Sequence, residues 1–246
     1  MHSLSQAFSP AGLRKSLDAY SRFAGTSEWS IGHKLDLYAA GRRAFDGGER
    51  AAFEQVYESL RKYWQVFRPH RPEVCWERER IYDTLLAALG AYKWTGSMDL
   101  VSFAGSGKRH DLALSLQAFS DLKPNENYPD MAVSKFCHFY NPALFPIYDT
   151  AVVYDIAWPV FGIDFVAHCE DNNFDPQALG AGFLANYVSW ASSLISPDAT
   201  RIMESVVAWL ADELPPKAFR SLDERALGRL YATAFEFVLI GAAVSK

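Results

Sequence analysis

The sequence lacks an excess of positive charge. Its 24 lysines and arginines stand against 29 aspartates and glutamates, which gives a formal net charge of −5 at pH 7. A chain with this balance has no overall positive field that would concentrate it on nucleic acids or on anionic membranes. A role in nucleic-acid binding would therefore depend on a local basic patch.

Cysteine is also scarce. The three cysteines, Cys75, Cys137 and Cys169, are odd in number and widely separated, which predicts reduced core thiols in a cytosolic protein. Two of them adjoin a histidine, as Cys137-His138 and His168-Cys169. Neighbours on a helix point about 100° apart, so one helix cannot direct both members of a pair at one ion. We therefore expect neither a metal site nor a cofactor.

The sequence has no clear leader peptide and no clear membrane span. Its first residues, MHSLSQAFSPAGLRKS, lack a basic region followed by an apolar stretch, so no signal peptide is predicted. The most apolar stretch, 226–244, contains Arg229 and Glu236, and both are costly in hydrocarbon. We expect a cytoplasmic protein without a membrane partner, in which this stretch is a buried C-terminal helix.

Alternating apolar and polar residues, which are typical of half-buried strands, are also missing, whereas helical periodicity is common. In the stretch 49–67, Phe53, Val56 and Leu60 recur at three- and four-residue steps. The residues 162–177, in contrast, are predicted to break into short pieces. Further helices are predicted at 73–92, 112–122, 176–195, 197–214 and 221–244.

These elements predict an all-α fold, a globular multi-helix domain that covers 1–246. Within it we expect two helical lobes, 1–124 and 125–246, packed as one unit around a cleft. The segment 128–160 is expected to line that cleft.

The residues GSGK at 105–108 resemble part of a phosphate-binding loop. The full pattern needs a glycine where Ser102 stands and a serine or threonine where Arg109 stands, so it is not met. Lys108, Arg109 and His110 are nevertheless the densest positive cluster in the middle of the chain. They form either a solvated loop or a contact for a phosphate group or nucleic acid.

One stretch, SKFCHFYNPALFPIYDTAVV at 134–153, departs from the general helical pattern. A helix is predicted at 131–140, and the Asn-Pro pair that follows should end it and begin an extended connector. Asp149 then precedes an apolar run, where its side chain can accept backbone N–H groups as an N-cap. The turn between the two helices can bring Lys135 close to Asp149.

Aromatic side chains crowd the same stretch. They are candidates for a ligand-stacking surface, and the alternative interpretation is that they belong to the core. These candidate ligand-binding residues are Phe136, His138, Phe139, Tyr140 and Tyr148.

The residues PDMAVSK (129–135) and FPIYDTAVV (145–153) together resemble the helix-hairpin-helix DNA glycosylase superfamily. In that superfamily a proline-led hairpin ends in a helical lysine, and a Phe-Pro-Val-Asp-type stretch supplies an aspartate that begins the next helix. The stretch is also similar to a motif of uncharacterised bacterial helical proteins, SK-x-x-HF-x-x-P-x-x-FPI-x-D-x-x-V. The resemblance is confined to this part of the chain.

The resemblance implies a metal-free protein for DNA base excision or base recognition. Lys135 would attack the sugar carbon of a flipped nucleotide or stabilise the departing base. Asp149 would deprotonate this lysine or stabilise the cationic sugar. Lys108, Arg109 and Ser134 would contact the DNA as a local basic patch.

The same residues support a second hypothesis. The superfamily hairpin uses glycines to bring backbone N–H groups close to a DNA phosphate, and here the positions 131–134 carry Met, Ala, Val and Ser. In this interpretation Asp149 caps its helix and Lys135 pairs with it. The chain would then be a non-catalytic helical protein that binds a protein partner or a small molecule.

Overall fold

The computed structural model describes residues 4–25, 31–62, 77–90, 94, 98–122, 130–214 and 230–245. Its regular elements within these ranges are helices, and no strand occurs in them, which confirms the all-α prediction. The α-helices are α1 Leu4–Ala7, α2 Pro10–Ala24, α3 Ile31–Phe45, α4 Arg50–Lys62, α5 Arg78–Gly90, α6 Leu100–Phe103, α7 Arg109–Gln117, α8 Asp130–Tyr140, α9 Trp158–Asp171, α10 Ala181–Ile195, α11 Ala199–Glu213 and α12 Tyr231–Val244.

Three shorter elements adjoin these helices. A 3₁₀ helix, Ala118–Leu122, follows α7, and another, Ser196–Asp198, joins α10 to α11. The third is a π-helix, Thr150–Ala157, which leads directly into α9. The π-helix is the unusual element of the three. Helices with i→i+5 hydrogen bonds are rare in proteins, and many of those known lie at functional sites.

Helix α12 lies in the core. Its residues from Ala232 to Ala243 are all buried, and it packs against α1, α2, α10, α11 and the π-helix. A glycine makes the tight contact with α2 possible, since a Cβ at Gly241 would lie 1.8 Å from the carbonyl oxygen of Ser16. The described part of the predicted C-terminal helix is therefore confirmed as buried.

Helix α8 is also an interior helix. All of its residues from Ala132 to Phe139 are buried, so both of its faces contact other parts of the protein. On one side it meets α3, where a Cβ at Gly41 would lie 2.3 Å from the carbonyl oxygen of Phe139. The segment that carries the sequence motif thus lies in the core.

Helices before residue 124 pack directly on helices after residue 125. The pairs α2 and α12, α3 and α8, α6 and α10, and α7 and α10 all cross this position. The buried apolar residues from both parts also belong to one cluster. Within the described ranges, the helices therefore share one core across the expected lobe boundary.

The prediction that 162–177 breaks repeatedly is wrong for its first part. Helix α9 runs without interruption from Trp158 to Asp171. Phe161, Phe165 and Cys169 recur at four-residue steps and are all buried, and this apolar face stabilises the helix despite its glycine and acidic residues.

Other predicted helices are present with shifted boundaries. Helix α7 begins at Arg109, before the predicted 112, and α10 begins only after Gly180, whose φ of 63° is left-handed. Two predictions lie outside the described residues, namely that for Cys75 and that for the start of the last helix at 221–229.

One continuous helical segment, Val152–Asp171, is long and apolar enough to cross a membrane by length and composition alone. The core helices of soluble proteins pass the same test, so this finding does not identify a membrane segment.

Candidate functional site

The connector between α8 and the π-helix is held by the Asn-Pro pair that ends α8. The side-chain amide of Asn141 donates to the carbonyl oxygens of Trp94 at 3.0 Å and Met98 at 2.8 Å. Its side-chain oxygen accepts from the backbone N–H of Ala143 at 3.1 Å. The predicted end of the helix is therefore also an anchor that attaches the connector to the preceding part of the chain.

Asp149 caps the π-helix, as the sequence predicts. Its backbone is extended, and its Oδ1 accepts from the N–H groups of Val152 at 2.9 Å and Val153 at 3.1 Å. Its carbonyl oxygen accepts from the N–H of Tyr154 at 2.8 Å, which is an i→i+5 bond. The carboxylate thus satisfies donors that the first turn of any helix leaves open.

The structure also brings Lys135 and Asp149 together. The ammonium of Lys135 lies 3.8 Å from Oδ2 of Asp149, and the two side chains are only 8% and 2% exposed. Burial lowers the pKa of Lys135, and the charge of Asp149 offsets this only in part. The amine and the carboxylate face one another as expected, but they do so inside the core.

Ser134 lies beside this pair and is buried as well. Its hydroxyl donates to the carbonyl oxygen of Tyr148 at 2.8 Å and accepts from the N–H of Tyr148 at 3.0 Å. These two bonds tie α8 to the far end of the connector. The predicted DNA contact of Ser134 would require this hydroxyl to leave its intramolecular partners.

His138 connects three parts of the fold. Its Nδ1 donates to the carbonyl oxygen of Phe145 at 2.6 Å, so Nε2 accepts from the hydroxyl of Tyr38 at 2.7 Å. That hydroxyl in turn lies 2.8 Å from the hydroxyl of Thr233 in α12. Burial lowers the pKa of His138, although the charge of Glu236 opposes the shift, and a neutral imidazole fits these partners.

A second buried ion pair was not predicted. The ammonium of Lys34 lies 3.0 Å from Oε2 of Glu236, and the two side chains are 2% and 1% exposed. The other oxygen of Glu236 accepts from the N–H of Ile147 at 2.7 Å and lies 3.2 Å from Nδ1 of His138. Burial lowers the pKa of Lys34, but the charge and hydrogen bond of Glu236 together with the charge effects of Tyr20 and Tyr38 outweigh it, and the net direction is upward.

A sequence signal for one partner was present. Glu236 stands in the otherwise apolar run of α12, and a charged residue that is buried in such a helix needs a partner. Nothing comparable marks Lys34, which lies in an ordinary amphipathic helix. The pairing could therefore be suspected from Glu236, although its partner could not be named.

The polar side chains of the motif all have intramolecular partners. Ser134, Lys135, His138, Asn141 and Asp149 each contact another part of the α8–π-helix region or a neighbouring helix. The motif is therefore explained as a set of structural contacts that hold a buried turn.

The aromatic candidates of the same stretch pack as core residues. Phe136 stacks on Tyr57 with ring centroids 6.4 Å apart, and the ring of Phe139 lies 5.5 Å from that of Tyr38. Four of the five candidates are buried and the fifth, Tyr140, is half-buried. In this conformation they do not form a stacking surface that is open to a ligand.

Lys108 and Arg109 lie elsewhere, in a cleft of about 590 Å³ between the α6–α7 connection and helices α9 and α10. The connection turns sharply, with Gly105 at φ 68° and Gly107 at φ 69°, a conformation that favours glycine. Lys108 is exposed and Arg109 is half-buried. Ser134 and Lys135 are not among the described residues that line this cleft.

Arg109 is held in place by neutral groups. Its Nη1 donates to the side-chain oxygen of Asn186 at 2.9 Å, and its guanidinium carbon lies 3.9 Å from the ring centroid of Phe174. Cation–π contact with an aromatic face orients an arginine without neutralising it. The guanidinium is thus positioned at the cleft wall with its charge uncompensated by these partners.

The opposite wall carries a histidine among serines. Nε2 of His168 lies 3.3 Å from the hydroxyl of Ser189, and Nδ1 lies 3.4 Å from that of Ser193. Burial lowers the pKa of His168, with Asp171 acting in the opposite direction. Both hydrogen bonds are long, so these groups can exchange partners for those of a ligand.

Comparison with protein-family models, with curated proteins and with solved structures found no match for this chain.

Proposed function

We propose that this chain is a non-catalytic helical protein that binds a small molecule in the cleft between the α6–α7 connection and helices α9 and α10. The observation that carries the proposal is the cleft itself. Its volume of about 590 Å³ lies within the range of small-molecule sites, about 300–1,000 Å³. The lining is rich in side chains that can hydrogen-bond, which suits a polar ligand.

The sequence motif at 134–153 supports this proposal indirectly, because its side chains are already engaged in contacts within the protein. Its lysine and carboxylate pair with one another, its serine and histidine bond to backbone groups, and its aromatic rings are packed. A ligand could reach these groups only if α8 and the connector separated. The cleft needs no such rearrangement, since Lys108 and His110 on its rim are exposed.

A cleft-filling variant tests the proposal. Ser189→Tyr places a large side chain in the cleft wall, whereas Thr84→Tyr makes a similar change at an equally half-buried position of α5 outside the cleft. We expect fragments that bind the wild-type protein in ligand-observed NMR to bind Thr84→Tyr and to lose binding to Ser189→Tyr. Fragment binding that is equal in both variants, or no binding by a diverse library, would overturn the proposal.

DNA base recognition or excision is the second candidate function. The 3.8 Å approach of Lys135 to Asp149 favours it, as does the lowered pKa of Lys135, because a less basic amine is a better nucleophile at neutral pH. This candidate requires the enclosed pair to become exposed when DNA binds.

Borohydride trapping tests this second candidate. The protein is incubated with duplexes that bear oxidised or alkylated bases, and borohydride reduces any lysine–DNA imine to a stable adduct. We would then expect an adduct with wild-type protein and with Lys15→Met, a surface control, but none with Lys135→Met. An adduct that persists in Lys135→Met would show that another amine reacts.

A further inference from the structure

We infer that the cleft takes a small molecule through a phosphate group or a similar oxyanion, held between Lys108 and Arg109 on one wall and serine hydroxyls on the other. This inference rests on the proposed function, because it names the ligand class of the same cleft.

Charge is the first argument. The chain carries 29 acidic residues and a net charge of −5, yet no aspartate or glutamate is among the cleft's lining residues. Within the described ranges, neither Lys108 nor Arg109 has a carboxylate at ion-pair distance. Two cations that share a recess without a counter-ion repel one another, and an anion between them removes that repulsion.

The fixed position of Arg109 is the second argument. Asn186 and Phe174 orient its guanidinium with a neutral oxygen and an aromatic face. An arginine held in this way loses little freedom when it binds an oxyanion, and its planar set of donors can meet two oxygens at once.

The neutral groups of the cleft supply the remaining contacts. Ser189 and Ser196 line the cleft and can donate hydroxyl hydrogens, whereas Ser193 already donates to the carbonyl oxygen of Trp190 at 2.7 Å. The turn at Gly105 and Gly107 exposes backbone beside Lys108. A phosphate has several oxygens that need donors after its charge is met. This mixture of two cations with several neutral donors matches that need.

The size of the site favours a small phosphorylated molecule over a nucleic-acid strand. Non-specific binding of DNA relies on many cations along the backbone, whereas the described lining offers Lys108 and Arg109. The net negative charge of the chain also repels a long polyanion. A nucleic-acid strand is therefore the less favourable occupant of the cleft.

Calorimetric titration with inorganic phosphate and pyrophosphate tests the inference. Lys108→Gln and Arg109→Gln each remove one cation, and Arg22→Gln is the control because it removes an exposed cation from α2. We expect pyrophosphate to bind wild-type and Arg22→Gln protein, with an affinity at least about tenfold weaker in each cleft variant. Lys108 is exposed, so its variant remains informative if Arg109→Gln folds poorly.

Three results would overturn the inference. In the first, phosphate and pyrophosphate both fail to bind while neutral fragments bind wild-type protein and not Ser189→Tyr, and the proposed function then survives alone. Pyrophosphate binding that neither cleft variant weakens would place the anion elsewhere. A single-stranded oligonucleotide that binds through Lys108 more tightly than pyrophosphate would assign the cleft to nucleic acid.

Discussion

Lys34, Lys135, His138, Asp149 and Glu236 lie in the core, and each is less than a tenth exposed. The removal of a charge from water costs several kcal/mol unless a partner of opposite charge and further hydrogen bonds offset that cost. Here the two lysines face the two carboxylates, and the histidine fits its partners as a neutral ring. The stability of the core therefore depends on each buried charge keeping its partner of opposite charge.

Glu236→Gln tests the dependence on pairing. The substitution leaves an acceptor for the N–H of Ile147 but leaves the Lys34 ammonium buried without a counter-charge. We expect the free energy of unfolding to fall by about 3–5 kcal/mol in urea denaturation.

Two further variants sharpen this measurement. Lys34→Met combined with Glu236→Gln should recover much of the loss, because no unpaired charge remains. Glu58→Gln, which breaks the exposed pair with Arg61, should cost about 1 kcal/mol or less. Equal losses for Glu236→Gln and Glu58→Gln would show that burial of the pair adds nothing.

The lowered pKa of His138 implies that the stability of the protein changes with pH. This pKa is lowered in the folded protein by burial, whereas an unfolded chain has a histidine pKa of about 6.5. Between these two values the unfolded state binds more protons, so stability rises with pH there. The contribution of neutral His138 is complete above about pH 6.5 and is lost as the pH falls through the folded pKa.

Unfolding free energies from pH 8 to pH 5, for wild-type protein and for His138→Gln, check this expectation. The difference between the two proteins removes the contributions of groups that they share. We expect the advantage of wild type to shrink on acidification, and a difference that is constant with pH would contradict a neutral buried His138.

At the scale of elements, close helix contacts decide which helices meet. Glycines occupy two of the close contacts, Gly241 between α12 and α2 and Gly41 between α3 and α8. These contacts hold α8, which carries the sequence motif, and α12, which carries Glu236, against helices from the N-terminal part of the chain. The ion pair between α3 and α12 and the hydrogen bond between Tyr38 and His138 depend on this arrangement.

Gly241→Ala tests the contact between α2 and α12. Alanine in a helix interior is favoured over glycine by about 1 kcal/mol, but its Cβ would lie 1.8 Å from the carbonyl oxygen of Ser16. We expect a net loss of about 1–3 kcal/mol, since the helices must move apart. Gly32→Ala in α3 is the control, because a Cβ there meets nothing within 4 Å.

The change in stability relative to wild type, measured by thermal and urea unfolding, should differ between the two glycine variants. Gly32→Ala should leave stability unchanged or raise it, and Gly241→Ala should lower it. If both variants raise stability, the contact between α2 and α12 is looser than these distances indicate.

At the scale of the whole molecule, the two halves of the chain supply each other's partners. Lys34 pairs with Glu236 and Arg109 bonds to Asn186, so polar and charged groups on each side are completed by the other. The apolar residues of both halves also share a core cluster. A chain built in this way should unfold in one cooperative step.

Fragments 1–124 and 125–246 test this cooperativity. We expect neither fragment alone to show a cooperative unfolding transition by circular dichroism. Each fragment would expose its share of the apolar core and would lack the partner of a charge, Lys34 or Glu236, that the full chain buries as a pair. The full chain should give coincident transitions by circular dichroism and tryptophan fluorescence. An independent transition in either fragment would restore the two-lobe description.

Individual elements show how far sequence reasoning reaches. The helix at 131–140, its end at Asn141-Pro142 and the cap at Asp149 were predicted correctly, because each signal acts on residues within about one helical turn. Helix α9 was missed, since its glycine and acidic residues masked an apolar face with four-residue spacing. The approach of Lys135 to Asp149 was predicted because a short connector joins their helices.

The enclosure of that pair could not be predicted, since it depends on helices that are distant in the sequence. The same is true of the cleft, whose walls come from the α6–α7 connection and from α9 and α10. Local patterns indicated which residues were basic or aromatic. They did not indicate that Lys108 and Arg109 would border a recess while Lys135 and Ser134 would be buried.

Contacts between near neighbours account for the helical class of this protein, for the end of α8 and for the start of the next helix at Asp149, so local sequence signals suffice for all three. Which charges meet depends on the fold as a whole. Lys34 and Glu236 are 202 positions apart, and only the assembly of the core brings their charged groups to 3.0 Å. Side-chain burial is a property of the assembled core, so the distinction between a buried pair and a solvent-accessible cleft arises only there.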